Sequence, residues 1–399
     1  MNGALEGVRI LDLTTVLMGP FATQLLGDMG ADVIKVEPPT GDTTRSLGPA
    51  RHPGMGAGFL HVNRNKRSLV LNLKEPAGHA ALLKLAAQVD VLIYNVRPQA
   101  MARLDLGYER LCAINPRLIY AGVFGYGQDG PYAAKPAYDD LIQGAIGLPS
   151  LVARVGDGTP RYVPIAMVDR TVGISAAMAV SAALYRREKT GVGQAVDIPM
   201  FETMVPFMLG EHLAGETFDP PLGEAGYARM LARERTPYVT RDGYLCALIY
   251  NDGQWRSFCR MIGDAGMFER DPRLATLSSR TTHVRELYAM VAEILLTRTT
   301  AEWMQLFEAA DIPAIPLHTL GSLVEDPHLK ATGYFTLNEH PSEGRILEMR
   351  PASRWSESPA AIRRPAPRLG EHSREILGEL GYTESEINGL VESGVTTVP

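Results

Sequence analysis

Residues 8–38 read VRILDLTTVLMGPFATQLLGDMGADVIKVEP, and the succession of patterns inside them decides the fold class. VRILDLT is a short β-branched and aliphatic run, PFATQLLGDMGA has the apolar spacing of a helix with Gly30 at its end, and DVIKVEP is again strand-like. That is one βαβ unit. The alternation repeats in SLVLNL (68–73), PAGHAALLKLAAQV (76–89) and DVLIYNV (90–96), and again in MARLDLGYERLCAINPR (101–117) and LIYAGVFGYG (118–127). Such a series predicts an α/β fold with a parallel sheet covered by helices and with ligands at the carboxyl ends of its strands.

A long apolar helix then precedes the strand candidate QAVDIPM (194–200) and the helix candidate FETMVPFMLGEHLAG (201–215), so the first part of a large domain is read as 1–215. FDPPLGEAGYARMLARERTP (218–237) is rich in Pro, Gly and Arg and reads as a crossing segment. Beyond it, PYVTRDGYLCALIYND with its Asp-Gly turn, GQWRSFCRMIG, TAEWMQLFEAA and IPAIPL are shorter and mixed, which predicts a smaller α+β domain over 216–335. A closing segment, 336–399, holds a hairpin-like stretch and two short helices.

The chain has 399 residues, 45% of them hydrophobic and 21% charged, with a formal net charge of −6. It has material for a large core and no Lys/Arg block interleaved with aromatics, so neither nucleic acid nor a membrane surface is an expected partner. No run of about 18 apolar residues reads as a membrane span. Cys112, Cys246 and Cys259 are odd in number and far apart, which argues against a disulfide framework and fits a reducing cytoplasm.

GYGQDG (125–130) matches a dinucleotide fingerprint, but Pro131 and Pro136 prevent the third glycine from opening a helix, and the match follows the last βα unit rather than the first. A glycine-rich active-site loop, with Gly127 and Gln128 as supporting residues, and a plain turn both remain. No metal-ligand spacing, nucleophile elbow or P-loop occurs, so no metal is expected. Asp169, in AMVDRTVG, interrupts an apolar run. It suits a helix N-cap, and it equally suits a nucleophile. The helix that follows is apolar on every side before Tyr185, so it reads as buried; its start is then buried or lines a cleft near the strand ends, and a carboxylate there is partly desolvated yet kept ionised by the helix dipole and amides.

These segments, with NRNKRSLVLNLK (63–74), AYDDLIQGAIG (137–147), VDRTVGISAAMAVSAALYRREKTGVGQAVDIPM (168–200), PYVTRDGYL (237–245) and PAPRLGEHSREIL (365–377), resemble the class III CoA-transferases, which include formyl-CoA transferase, carnitine CoA-transferases and α-methylacyl-CoA racemase. The resemblance implies an intertwined homodimer, each chain having a Rossmann-like large domain built from both termini. It implies CoA transfer between an acyl-CoA and a free carboxylic acid, with no cofactor beyond coenzyme A as substrate. Asp169 matches the family's nucleophile, which forms an aspartyl-acyl anhydride and then an aspartyl-CoA thioester. By motif, Val16, Leu71, Asn72, Lys74, Asn95, Arg97 and Arg103 are the CoA-binding candidates, and Tyr138 and Asp139 support the active site.

Departures from the family pattern narrow the substrate. Leu17 stands where formyl-CoA transferase has a glutamine, and its glycine-only flap is absent, so formyl and oxalyl groups are not expected. Tyr138 stands where the racemases carry a histidine, which weighs against the alternative of a 2-methylacyl-CoA racemase. A nicotinamide-dependent oxidoreductase and a catalytically silent CoA-binding protein are more remote alternatives. Arg229, Arg233 and Arg235 are candidates for holding a second substrate carboxylate.

Overall fold

A computed structural model describes residues 3–399. Six parallel strands form one sheet in the order β3-β2-β1-β4-β5-β6: β1 is Arg9–Leu13, β2 Asp32–Glu37, β3 Lys66–Val70, β4 Val91–Tyr94, β5 Ile119–Phe124 and β6 Gln194–Pro199. The strands sort their side chains by the two-residue period. Ile10, Val33, Val91 and Ile93 enter the apolar layer on one face, and Leu11, Ile34, Leu92 and Tyr94 enter the layer on the other. Each such fully buried aliphatic side chain contributes about 1.5–3 kcal/mol of transfer free energy, which is why strands covered on both faces read as continuous apolar runs.

The helix Met18–Asp28 follows β1, and the 24-residue helix Met167–Thr190 packs across it. Gly173 permits the approach, since a Cβ there would lie 2.9 Å from the Met18 carbonyl oxygen and 3.0 Å from the Phe21 ring. The long helix is apolar and long enough to cross a membrane by length and composition, a length that the sequence reading did not register as a span. Its Val168, Val172, Ala176, Val180 and Leu184 are buried against the first helix and the sheet. The expectation of a helix buried all round is corrected: Ile174, Met178 and Tyr185 face outward and are more than half exposed. One side of a cylinder lies on the sheet; the opposite side cannot.

The edge strand β3 carries Lys66, Arg67 and Ser68 yet is wholly buried, because the chain's last part lies along it. The Ser68 N–H donates to His372 Nδ1 and the Val70 N–H to Ser373 Oγ, while the Val70 carbonyl accepts from Thr396 Oγ1. That cover removes an exposed sheet edge.

The chain divides into two compact units, Met1–Ile146 with Val163–Phe207 and Leu329–Pro399, and Gly147–Tyr162 with Met208–His328. Three stretches fall differently from the boundaries read in the sequence. The segment 147–162 leaves the large unit because its helix Leu148–Val155 lies with the Arg-rich segment, where Arg233 Nε donates to the Arg154 carbonyl at 3.4 Å. Residues 208–215 join it, anchored by the Gly226 N–H donating to the His212 carbonyl. Residues 329–335 belong to the large unit through an antiparallel hairpin, Phe335–His340 with Gly344–Met349, whose end accepts from Arg64 at the Met349 carbonyl. The second unit contains the antiparallel strands Tyr238–Val239, Tyr244–Ala247 and Ala314–Pro316, and helices begun by Asn251/Gln254 and Thr299/Glu302 capping boxes. The three cysteines are free thiols.

Beneath the loop that leaves β1 lies an ionic cluster with no solvent exposure. Asp12 accepts from Thr14 Oγ1 at 2.5 Å, Thr23 Oγ1 at 2.7 Å and Lys66 Nζ at 3.1 Å, and Lys35 Nζ donates to Asp42 at 2.9 Å and to the Thr14 carbonyl at 2.8 Å. Burial opposes the charge on Asp12, but Lys66 and Lys35 outweigh it and hold the carboxyl below its ordinary value. Burial also drives the Lys66 ammonium down to about 8 despite Asp12. Removing one partner strands the others in a dry interior, so Asp12→Ala is expected to destabilise the large unit by about 3–5 kcal/mol. Urea unfolding monitored by far-UV circular dichroism should show this as a lowered midpoint for that unit's transition.

Candidate active site

In a sheet of this order the crevice opens where strand order reverses, between the carboxyl ends of β1 and β4. A cavity of about 410 Å³ lies there. Thr15, Val16 and Leu17 line it from beyond β1, Asn95, Val96 and Arg97 from beyond β4, and Phe124 and Gly125 from the end of β5, with Tyr138, Asp169 and Met200 completing the wall. Five of the residues singled out in the sequence therefore meet at one place: Val16, Asn95, Arg97, Tyr138 and Asp169.

Asp169 is not an N-cap. Ala166 holds that position, no side chain caps the helix, and Asp169 sits in the first turn. Its own N–H donates to Asp139 Oδ2 at 2.9 Å, and Asp139 Oδ1 accepts from Gln143 Nε2 at 2.6 Å. Gln143 is fully buried and in turn accepts the Val163 N–H through Oε1 at 2.9 Å. Burial pushes the Asp169 carboxyl up to about 6, the Asp139 carboxylate adds to the rise, and Arg170 opposes it. The result is a carboxylate still ionised at neutral pH but poorly solvated, a condition that favours nucleophilic attack.

The loop after β1 is shaped for the cavity. Val16 has φ 68°, a left-handed conformation that is costly for a β-branched residue. Asn95 clamps it: Oδ1 accepts the Thr15 N–H at 2.9 Å and Nδ2 donates to the Thr15 carbonyl at 2.7 Å. Asn95 is thus a positioning residue for that loop. Arg97 is exposed, and its Nη1 donates to the Ala134 carbonyl at 3.3 Å.

Other candidates lie elsewhere. Leu71 is a core residue, 1% exposed, which cannot reach a ligand, and the Asn72 side chain accepts the Lys74 N–H within its own turn. Lys74 and Arg103 are exposed at the start of one helix and the end of another, away from the cavity wall. In the GYGQDG loop the Gly127 N–H donates to Glu202 Oε1 at 2.9 Å, so it is not a free donor. Gln128 ties the loop to itself through the Tyr126 carbonyl. Tyr138 is 66% exposed at the cavity. Arg229 and Arg235 line a separate cavity of about 530 Å³ in the second unit, where Arg229 Nε donates to the Tyr288 hydroxyl at 3.0 Å, and Arg233 does not line it. Gln143 and Glu202 were missed. Gln143 was recoverable from its i+4 spacing to Asp139, whereas nothing in the sequence joins Glu202 to Gly127.

A half-buried carboxylate with a raised proton affinity, set on a cavity at the switch point of a parallel α/β sheet, has the form of an enzyme active site. The family model of CoA-transferase family III matches residues 5–373. A mouse (Mus musculus) succinyl-CoA:glutarate CoA-transferase is 36% identical over 396 residues, 98% of this chain and 90% of its own. A formyl-CoA:oxalate CoA-transferase of Rhodopseudomonas palustris is 32% identical over 430 residues, covering 100% and 99%. The crystal structure of a CaiB/BaiF family protein from Brucella suis superposes with a TM-score of 0.80 at 31% identity, covering 95% of this chain and 100% of that one. The chain belongs to CoA-transferase family III, and it is an enzyme of that class.

The raised carboxyl has a consequence for stability. A group with a folded-state value of about 6 against 3.8 unfolded destabilises the fold above pH 6 and not below 3.8. Asp169→Asn is therefore expected to raise stability at pH 8 by at most about 3 kcal/mol, less to the extent that solvent reaches the half-buried side chain. Thermal unfolding at pH 8 and at pH 4 should show the gain at the first and not at the second.

Proposed function

We propose that the enzyme moves coenzyme A from an acyl-CoA to a free carboxylic acid through covalent intermediates on Asp169. The carrying observation is this carboxylate, raised to about 6, on the wall of the cavity between the ends of β1 and β4. A carboxylate oxygen attacks the thioester carbonyl, the C–S bond breaks, and an aspartyl-acyl anhydride forms with release of the CoA thiolate. The thiolate attacks the aspartyl carbonyl, which frees the donor acid and leaves an aspartyl-CoA thioester. The acceptor carboxylate then displaces CoA to give a second anhydride, and the thiolate takes the acceptor's acyl group, regenerating Asp169. Anhydrides hydrolyse readily, so the apolar wall formed by Leu17, Phe124 and Met200 serves to limit water.

Arg97 is the cation on this wall and is assigned here to a CoA phosphate, with Lys74 and Arg103 as further exposed cations for the same ligand. The names of the relatives favour a dicarboxylic acid such as succinate or glutarate, and Leu17 disfavours formyl and oxalyl groups. The racemase reading is not adopted: it needs two acid-base groups about the α-carbon, and no histidine lines the cavity among the described residues. The large unit is read as a Rossmann-like CoA-binding domain. The exposed Phe207, Phe218 and Leu222 favour burial in a homodimer, which the family resemblance describes as interlocked. The three free thiols suit a reducing cytoplasm.

Incubation with succinyl-CoA followed by hydroxylamine and mass spectrometry should mark Asp169 alone. Asp169→Asn should fold yet form no adduct and lose turnover by at least about 10³-fold; retained turnover, or a mark elsewhere, would sink the mechanism. Because attack needs the ionised carboxylate, kcat/KM should fall about tenfold per pH unit below about 6. Asp139→Asn keeps an oxygen acceptor for the Asp169 N–H but removes a like charge, so this acidic limb should move to lower pH.

A further inference from the structure

The long helix has a cavity on either side of its first turns. Asp169 lines the one just described. Arg170, the next residue, lines a larger cavity of about 700 Å³ together with the first helix and the residues that follow the hairpin. Phe21, Leu25, Met29, Ile174, Met178 and Met349 make its walls largely apolar, and the volume lies in the range of sites that hold ligands of about 300–1,000 Å³.

Against that apolar wall the chain leaves polar groups without partners. The Arg170 guanidinium stands 4.4 Å from the centre of the Phe21 ring and makes neither an ion pair nor a side-chain hydrogen bond among the described residues. The Arg350 Nε is buried and has no hydrogen-bond partner among the described residues, and the same holds for Oε1 of Gln24, a residue 4% exposed. The other ionisable groups on the wall add no charge at neutral pH. Arg64 and Asp28 neutralise each other through bonds of 2.7 and 3.0 Å, and burial disfavours the charged form of the His61 imidazole. Two unpaired guanidinium groups beside a greasy wall match one ligand chemistry, an oxyanion with at least two acceptor oxygens and an apolar tail.

We propose that this cavity is a second ligand site, separate from the catalytic one, for an amphipathic anion whose acidic head pairs with Arg170 and Arg350 and whose aliphatic tail lies along Phe21, Leu25 and Met178. The site stands on geometry independent of the CoA-transfer mechanism. Its position one residue from Asp169, on a rigid helix, puts its occupant in electrostatic reach of the reacting carboxylate.

Decane-1-sulfonate is a suitable probe, because a sulfonate cannot accept CoA as a carboxylate does. Isothermal titration of the full-length protein in its native oligomeric state should show one saturable site per chain, not displaced by saturating CoA. Arg350→Met should weaken binding at least tenfold, and Ser181→Phe, which narrows the cavity and keeps both arginines in the sequence, should do the same. Circular dichroism and CoA-transfer activity report that the variants are folded. Unchanged affinity in folded Arg350→Met, displacement by CoA, adsorption of many sulfonates per chain, or no binding because a second copy of the chain covers the cavity would each overturn the proposal.

Discussion

The buried ionic cluster under the β1 loop is the constraint on which the site depends. Asp12 gathers two hydroxyls, one backbone amide and an ammonium, and Lys35 joins the Thr14 carbonyl to Asp42. Asp42 in turn accepts the N–H of Val16 at 3.3 Å. The chain therefore leaves β1 along one path only, and Val16 is held in a conformation it would not adopt in a free loop. Buried ion pairs of this kind add little net stability compared with an apolar core. What they provide here is shape: the loop they hold is one wall of the cavity that Asp169 lines, and Asn95 fixes it from the neighbouring strand.

The opposite wall obeys a different constraint. Asp139 and Asp169 are like charges on two helices, joined by an N–H that one lends to the other. An acceptor at that N–H satisfies one of the amides that a helix start leaves unbonded, yet the acceptor is anionic, so the bond that orders the helix also raises the affinity of Asp169 for a proton. Structure and reactivity are coupled through a single hydrogen bond. The buried Gln143 holds Asp139 in that orientation and extends the chain to Val163, so the turn leading into the long helix is set by the same polar string.

Much of the fold was legible because period-two and helical patterns alternate along the first 127 residues, and the carboxyl-edge location of the site follows from a parallel sheet. Strand order was not legible, since no local pattern says that β4 pairs with β1 rather than β3. The unit boundaries failed where chain order and packing part company: residues 147–162 look like a continuation of the large unit and pack instead with the segment around Arg233. Leu71 and Asn72 belong to a matching motif, but burial of one side chain and the engagement of the other are properties of the folded turn alone. Asp169 was found for a reason that only partly survives. A carboxylate in an apolar stretch reads as a cap or as a nucleophile, and the first of these fails: Asp169 is a first-turn residue and Ala166 holds the cap position.

That difference explains why the long helix can serve two environments. Successive residues on a helix point about 100° apart, so Asp169 and Arg170 necessarily face different surroundings, one toward the ends of β1 and β4 and the other toward the first helix and the hairpin. Burial disfavours the charge on both side chains, and each favours the charge on the other. Any group that pairs with Arg170 weakens its pull on Asp169 and so raises that carboxyl further. The apolar face that brought the helix into the core thus leaves, in its first turn, a place where a charge outside the cavity at the ends of β1 and β4 bears directly on the Asp169 carboxyl.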